Sequence, residues 1–128
     1  MRRLYLTNTE YVEVFLVSGS PEERNRYVGE IIGNNTPRIV LCSMQYRRDV
    51  RQTIQYFVDR DYFLFMHWLN PGFSDPSQQP DSVGLIPAVL GEQSLLGVRD
   101  GQINANDRVG EMRDFIFGWA SSRGLVRT

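Results

Sequence analysis

The stretch VEVFLVSGSPEERNRYVGEIIG, residues 12–33, runs as an apolar strand, a small-residue turn and a helix start. In α/β proteins such a turn commonly offers free backbone N–H groups to a phosphate or seats a reactive thiolate at the positive end of the helix. Laid over Gly19, the phosphate-loop pattern G-x-x-x-x-G-K-[ST] puts Arg24 and Asn25 where Gly and Lys belong. Glu22 and Glu23 add two carboxylates to the first turn, where they satisfy the helix dipole and repel a nucleotide. Neither Ser18 nor Ser20 has a base nearby in sequence to ionise its hydroxyl.

Other reactive residue types are sparse. Arg47, Arg48 and Arg51 are the candidate anion-binding group, because guanidinium forks grip oxyanions in a bidentate manner; a solvated helix face is the simpler account of the same residues. His67 lies between Met66 and Trp68 in an apolar run, without a local carboxylate to orient it as a base. Cys42 sits in a second apolar run and reads as a buried structural thiol. Asp59/Asp61 and Glu22/Glu23 match turn and cap chemistry, not a catalytic dyad. No residue is therefore assigned a catalytic role.

The totals narrow the classes further. A chain of 128 residues accommodates one domain, residues 1–128, with a real core. All 14 basic residues are arginine, which removes Schiff-base chemistry and the phosphate-gripping lysine. One cysteine and one histidine permit neither an internal disulfide nor a zinc site, so no metal and no cofactor is expected. A formal charge of −1 gives no field favouring nucleic acid or an anionic membrane. The start MRRLYLTNTE has no signal-type apolar core and no run approaches the ~20 apolar residues of a span, so a cytoplasmic location is expected.

These residues must be positioned by a small set of elements. Alternation in RLYLTN and YVEVFLVS predicts two strands, the second with Val12, Val14 and Leu16 on one face and Phe15 and Val17 on the other, both covered. Ser20, Pro21, Glu22 and Glu23 match an N-cap, a first-turn proline and a capping box, with Tyr27, Val28, Ile31 and Ile32 as the helical stripe up to Gly33. RIVLCSM predicts a strand, and Val50, Ile54, Phe57 and Val58 a helix. YFLFMHWL predicts a strand buried on both faces. Residues 70–84, with three prolines and Phe73, form one long loop. LIPAVLGEQSLLGVRDGQIN predicts a hairpin turning at Asp100-Gly101, and Asn106 onward a helix whose Phe115, Phe117 and Trp119 do not share one face, which either leaves Phe117 for solvent or a second copy of the chain or has the helix covered on both flanks by the N-terminal strand.

The order strand, helix, strand, helix, strand, antiparallel hairpin and closing helix resembles the thioredoxin-like superfamily. FLVSGSPEER stands where that family has its reactive turn, GLIPAVL where it has a cis-proline segment, and LLGVRDGQI where it has its terminal hairpin. The resemblance implies an α/β fold with a central mixed sheet, βαβαβ followed by a C-terminal β-hairpin and helix. It also implies that Ser18-Gly19-Ser20-Pro21 replaces the CxxC and that Pro87 takes the cis-proline place, giving a redox-inactive member. Its expected function is non-enzymatic binding or assembly. An extended protein or peptide partner would lie in a groove formed by Ser18, Gly19, Ser20, Pro21, Ile86 and Pro87. The competing expectation is a degenerate phosphate-binding α/β protein, or a small hydrolase or phosphotransferase, using Arg47, Arg48 and Asn70 at the carboxyl ends of a parallel sheet.

Overall fold

The computed structural model describes residues 1–128. The elements run β1 (Arg2–Tyr5), β2 (Tyr11–Val17), α1 (Val28–Ile32), β3 (Val40–Cys42), α2 (Val50–Asp59), β4 (Leu64–Leu69), α3 (Leu85–Leu90), β5 (Ser94–Arg99) and α4 (Asn106–Ser121). They build a mixed α/β fold with two small sheets. In the first, β2 pairs antiparallel with β1 and parallel with β3; in the second, β4 and β5 are parallel in the register Leu64 to Ser94 through Leu69 to Arg99. No hydrogen-bonded ladder joins β3 to β4.

Side-chain alternation on the strands sorts the core into two faces. On one face Val17 of β2 and Leu64 of β4 meet Val28 and Ile32 of α1, Val50, Ile54 and Phe57 of α2, and Leu85 and Val89 of α3. On the other, Val12 and Val14 of β2 with Leu6 and Ile39 receive Ala120 of α4, flanked by Ile116, Phe117 and Trp119. The same helix also reaches the second sheet, where the Phe115 ring stacks 4.4 Å from that of Phe65. Helices α2 and α4 thus span the break between the sheets from opposite sides. Phe117 is half-buried in this contact, not left outside.

Five expectations need correction. The segment GLIPAVL is helix α3, and β5 returns parallel to β4, so there is no C-terminal hairpin. Its Leu85 and Val89, four apart, are both buried, and Pro87 stands in the first turn, where a missing N–H leaves no bond unmade. The Ile86–Pro87 bond is accordingly trans; the one cis peptide joins Asn70 to Pro71. The helix expected from Ser20 makes its cap bond, Glu23 N to Ser20 Oγ at 3.2 Å, but Asn25 turns left-handed at φ 51° and regular helix begins only at Val28. Leu16 and the outer side of β4 are not fully covered, because both open on the break between the sheets.

Asp100-Gly101 is a turn into α4 instead of a hairpin tip. Gly101 is there for room: a Cβ would lie 2.7 Å from the Gly72 carbonyl carbon and 2.8 Å from the Phe73 nitrogen and the Pro71 oxygen. Gly101→Ala is therefore expected to lower stability by roughly 2 kcal/mol or more in urea unfolding, since backbone cannot move aside cheaply. Pro87→Ala, by contrast, is expected to stay within about 0.5 kcal/mol of the parent.

Candidate functional site

Strands β2 to β5 each end in a loop at the carboxyl edge: residues 18–27, 43–49, 70–84 and 100–105. Ligands of open α/β sheets bind at this edge, because there the loops are free of the strand ladder. Here the loops are tied to one another by side chains, each link crossing from one loop to the next.

The first link is Glu22, a carboxylate only 4 % exposed. Its Oε1 accepts the Gln45 backbone N–H at 2.7 Å and its Oε2 the Thr53 hydroxyl of α2 at 2.7 Å. Arg47 Nη1 donates to the Glu22 carbonyl at 3.4 Å, and Gln45 Nε2 donates to Glu23. A buried carboxylate is tolerated when charge-assisted donors replace its water, and two are supplied here.

The second link is Tyr46. Its hydroxyl donates to Asp81 Oδ1 and accepts the Val83 N–H at 3.1 Å, while its ring stacks on Trp68 of β4 at 4.8 Å and 13°. Asp81 in turn accepts the N–H groups of Leu85 and Ile86, both at 2.8 Å, and so caps the start of α3. Burial works to raise the Asp81 carboxyl, and the Tyr46 hydroxyl with the α3 amides outweighs it, holding the group below the usual aspartate range. The third link joins loop 70–84 to loop 100–105: Gly101 N donates to the Pro71 carbonyl at 2.7 Å and Gln102 Nε2 to that of Phe73 at 2.8 Å. Asn70 and Gln79 exchange two 2.8 Å bonds across the base of the long loop, which leaves Phe73 at its tip 82 % exposed.

The residues singled out from sequence fall in different places. Ser18 and Gly19 are exposed, with Arg24 Nη1 donating to the Ser18 carbonyl at 2.8 Å; Ser20 and Pro21 are buried. Ile86 is half-buried and Pro87 exposed on α3, which packs chiefly on β5 and α2. The anticipated groove beside a cis Pro87 is not formed. Arg47, Arg48 and Arg51 are all exposed, and none is in an ion pair. Arg99 alone among the arginines is paired, with Glu111. Asp59 accepts from Gln55 at 2.7 Å and Asp61 is a left-handed turn residue at φ 59°, as turn chemistry requires. Burial and the neighbouring Glu22 charge push the Cys42 thiol up to about 12, so it stays protonated at neutral pH. No group of three or more His, Cys, Asp or Glu side chains is placed to hold a metal ion, and no helix is long and apolar enough to cross a membrane.

Sequence reasoning missed Tyr46 and Asp81 and took Glu22 for a first-turn acid of a helix start. Asp81 carries a local signal, an acid just before an apolar i, i+4 pair, visible once LIPAVL is taken as helix. Glu22 and Tyr46 carry none, since their partners lie 31 and 35 residues away.

Glu22→Ala leaves the Gln45 N–H and the Thr53 hydroxyl without an acceptor and is expected to cost about 2–4 kcal/mol in chemical unfolding, against about 1 kcal/mol for Thr53→Val. Asp81 sets a pH dependence whose sign follows from its lowered value. Its contribution is complete above the unfolded value of about 3.9 and is lost as pH falls through the folded one. In Asp81→Asn the acid limb of a stability profile should flatten, and an unchanged limb would show that Asp81 does not carry it.

No family model matches the chain, and no curated protein or solved structure matches it.

Proposed function

We propose that the chain is a non-enzymatic α/β binding module that holds an acidic segment of a protein partner against the arginines of its carboxyl edge. One observation carries this: Arg47, Arg48 and Arg51 stand exposed at the start of α2, beside the Glu22 link, with no carboxylate paired to any of them. The two loops that meet here hold Arg24, Arg26, Arg47 and Arg48, with Arg51 on α2, against Glu22, Glu23 and Asp49, and Glu22 is turned inward. The exposed guanidinium groups of Arg47, Arg48 and Arg51 concentrate positive charge locally at the start of α2, although the chain as a whole is at −1.

Size and charge favour an extended acidic segment over a nucleotide. The cavity at this edge measures about 190 Å³ and is lined by Glu22 and Asp49 as well as Arg26, Tyr27, Gln52 and Thr53. Small-molecule pockets begin near ~300 Å³, and two carboxylates in the wall oppose a polyphosphate. The arginines lie on open surface, which suits side chains reaching in from a strand or coil. Absence of turnover is supported by the protonated Cys42 and by the Ser20 hydroxyl, which is buried and engaged in its cap. The thioredoxin-like resemblance lends no groove to this site, because Pro87 is part of α3.

Titration calorimetry with an octaglutamate peptide tests the proposal. Saturable binding that weakens steeply as salt is raised is expected, with a further loss of about tenfold or more in the triple charge reversal Arg47→Glu, Arg48→Glu, Arg51→Glu. Because the three side chains are exposed, the variant should unfold at the parent temperature. Salt-insensitive binding, or equal affinity in the variant, would contradict it; pyrophosphate bound tightly with no octaglutamate binding would move the assignment to a phosphate ligand.

A further inference from the structure

The break between β3 and β4 opens into a cleft of about 1860 Å³ whose walls do not include Arg47, Arg48 or Arg51. Two contacts bracket it: the Tyr62 hydroxyl donates to the Pro37 carbonyl just before the two strands begin, and Tyr46 stacks on Trp68 near their carboxyl ends. Between them the walls are mainly apolar, with Leu16 and Leu41 on the first sheet, Phe65 on β4, and Phe115 and Ile116 on α4. Leu16, together with Phe63 and Val109 of the same walls, is exposed although large and apolar. Contiguous apolar surface of this kind marks a place where something docks. His67 and Trp119 line the cleft too, but their ring nitrogens are buried and out of reach of an occupant.

Charge is gathered at the amino end of the cleft. Arg38 precedes β3, Arg60 stands between α2 and β4, and Arg123 follows α4. The last is brought to the same edge because α4 starts beyond the carboxyl end of β5, and the chain after it bridges through Arg127 to Tyr11 at the start of β2. All three residues line the cleft, are exposed and pair with no carboxylate. Stacking holds two of the guanidinium groups in place, Arg60 at 3.7 Å from the centre of the Tyr56 ring and Arg123 at 4.2 Å from that of Trp119. Arg60 Nη1 donates to the Tyr56 carbonyl at 3.1 Å, and Arg123 Nη1 to the Trp119 carbonyl at 3.1 Å and to Ser122 Oγ at 2.9 Å. A guanidinium has five N–H donors, so both keep donors to spare. Two acids line the cleft: Asp61 at this end, and Asp75 in the long loop. Arg108, the fourth arginine of the walls, donates through Nη1 to the Asp100 and Ile103 carbonyls, both at 3.0 Å, near the carboxyl end.

An occupant that matches both features is apolar along the cleft and anionic at its amino end. Guanidinium forks match the paired oxygens of a carboxylate or a phosphate. An ammonium head would meet three cations, and an uncharged head would leave them unanswered. Strand β4 has six residues, about 20 Å at ~3.3 Å per residue, and the volume exceeds the roughly 300–1,000 Å³ of pockets for compact ligands, so the space suits an extended chain. We infer that the cleft is a second binding site, for a single-chain anionic amphiphile. Its oxyanion head lies at Arg38, Arg60 and Arg123, and its acyl chain runs between the facing edges of β3 and β4.

Trp68 and Trp119, the two tryptophans of the chain, both line the cleft, so intrinsic fluorescence reports on it beside titration calorimetry. Dodecanoate below its micelle concentration is the probe. Saturation at one dodecanoate per chain is expected, with octanoate at least tenfold weaker because a shorter chain buries fewer methylenes. Dodecanol and dodecylammonium should also bind at least tenfold more weakly, because neither head engages the guanidinium groups. In the triple variant Arg38→Gln, Arg60→Gln, Arg123→Gln, dodecanoate should weaken by about tenfold while dodecanol binds as in the parent, which shows that the walls are intact. Dodecyl phosphate, titrated alongside, distinguishes the source of the oxyanion: the tighter of the two anions identifies the head. Equal affinity for dodecanoate and dodecanol, affinity independent of chain length, or a triple variant that binds dodecanoate unchanged would overturn the assignment. The charge reversal at Arg47, Arg48 and Arg51 should bind dodecanoate as the parent does, so failure at one site is distinguishable from failure at the other; a loss there would place the head at the carboxyl edge and overturn it.

Discussion

The carboxyl edge depends on one buried carboxylate. Glu22 has given up water for the Gln45 amide, in the next strand–helix connection, and the Thr53 hydroxyl, in α2. That exchange is favourable only if the two loops stay in register, so the Glu22 side chain ties the turn after β2 to the start of α2, with the Gln45–Glu23 and Arg47–Glu22 carbonyl bonds beside it. Its position also shapes the turn that precedes α1. Drawing Glu22 inward demands the tight turn of residues 20–25, which ends in the left-handed Asn25 and delays α1 to Val28. The Glu23 N–H is spent on Ser20, and no long helix dipole stands behind the loop. Exposed guanidinium groups stand instead on the neighbouring helix start, at Arg47, Arg48 and Arg51.

From Glu22 the links run along the edge through Tyr46 and Asp81 to the cap of α3, and from the long loop to Gly101. They matter more than usual because the strands themselves do not form one continuous ladder. Where β3 and β4 part, α2 on one face and α4 on the other hold the halves together by packing, with Phe115 on the second sheet and Ala120 on the first. Packing across a break fixes position less tightly than hydrogen bonding does, and the rim of side-chain links supplies the missing constraint at one end. The opposite consequence appears in the middle of the break, where His67 and Trp119 find no partner.

Local pattern carried much of the fold and little of the site. Helix α2 and β2 were legible because Val50, Ile54 and Phe57, and Val12 and Val14, repeat at the period of their own element. LIPAVL was misread because a proline within a short apolar run resembles a strand opening, whereas Leu85 and Val89 face one core only when the run is coiled. The direction of β5 followed from that error: once a helix separates β4 from β5, parallel pairing is possible and a hairpin is not. For Phe117 periodicity left two readings open, and the N-terminal strand pair, which half covers the side chain, decides between them. The arginine group was visible as residue types, but its lack of partners was not, since pairing is decided between elements far apart in sequence. Glu22 was invisible for the same reason.

What results is a scaffold whose Cys42 thiol is protonated and whose Ser20 hydroxyl is buried in a cap, with three exposed guanidinium groups at the start of α2. The most direct test is amide and arginine side-chain NMR during titration with an acidic peptide. Signals of residues 18–27 and 43–53 are expected to move together and to saturate at a single ratio, with those of α4 and β5 unmoved, because Glu22 binds the two loops into one unit. Shifts scattered over the surface, or confined to the cleft around His67 and Trp119 with the arginines silent, would contradict the account.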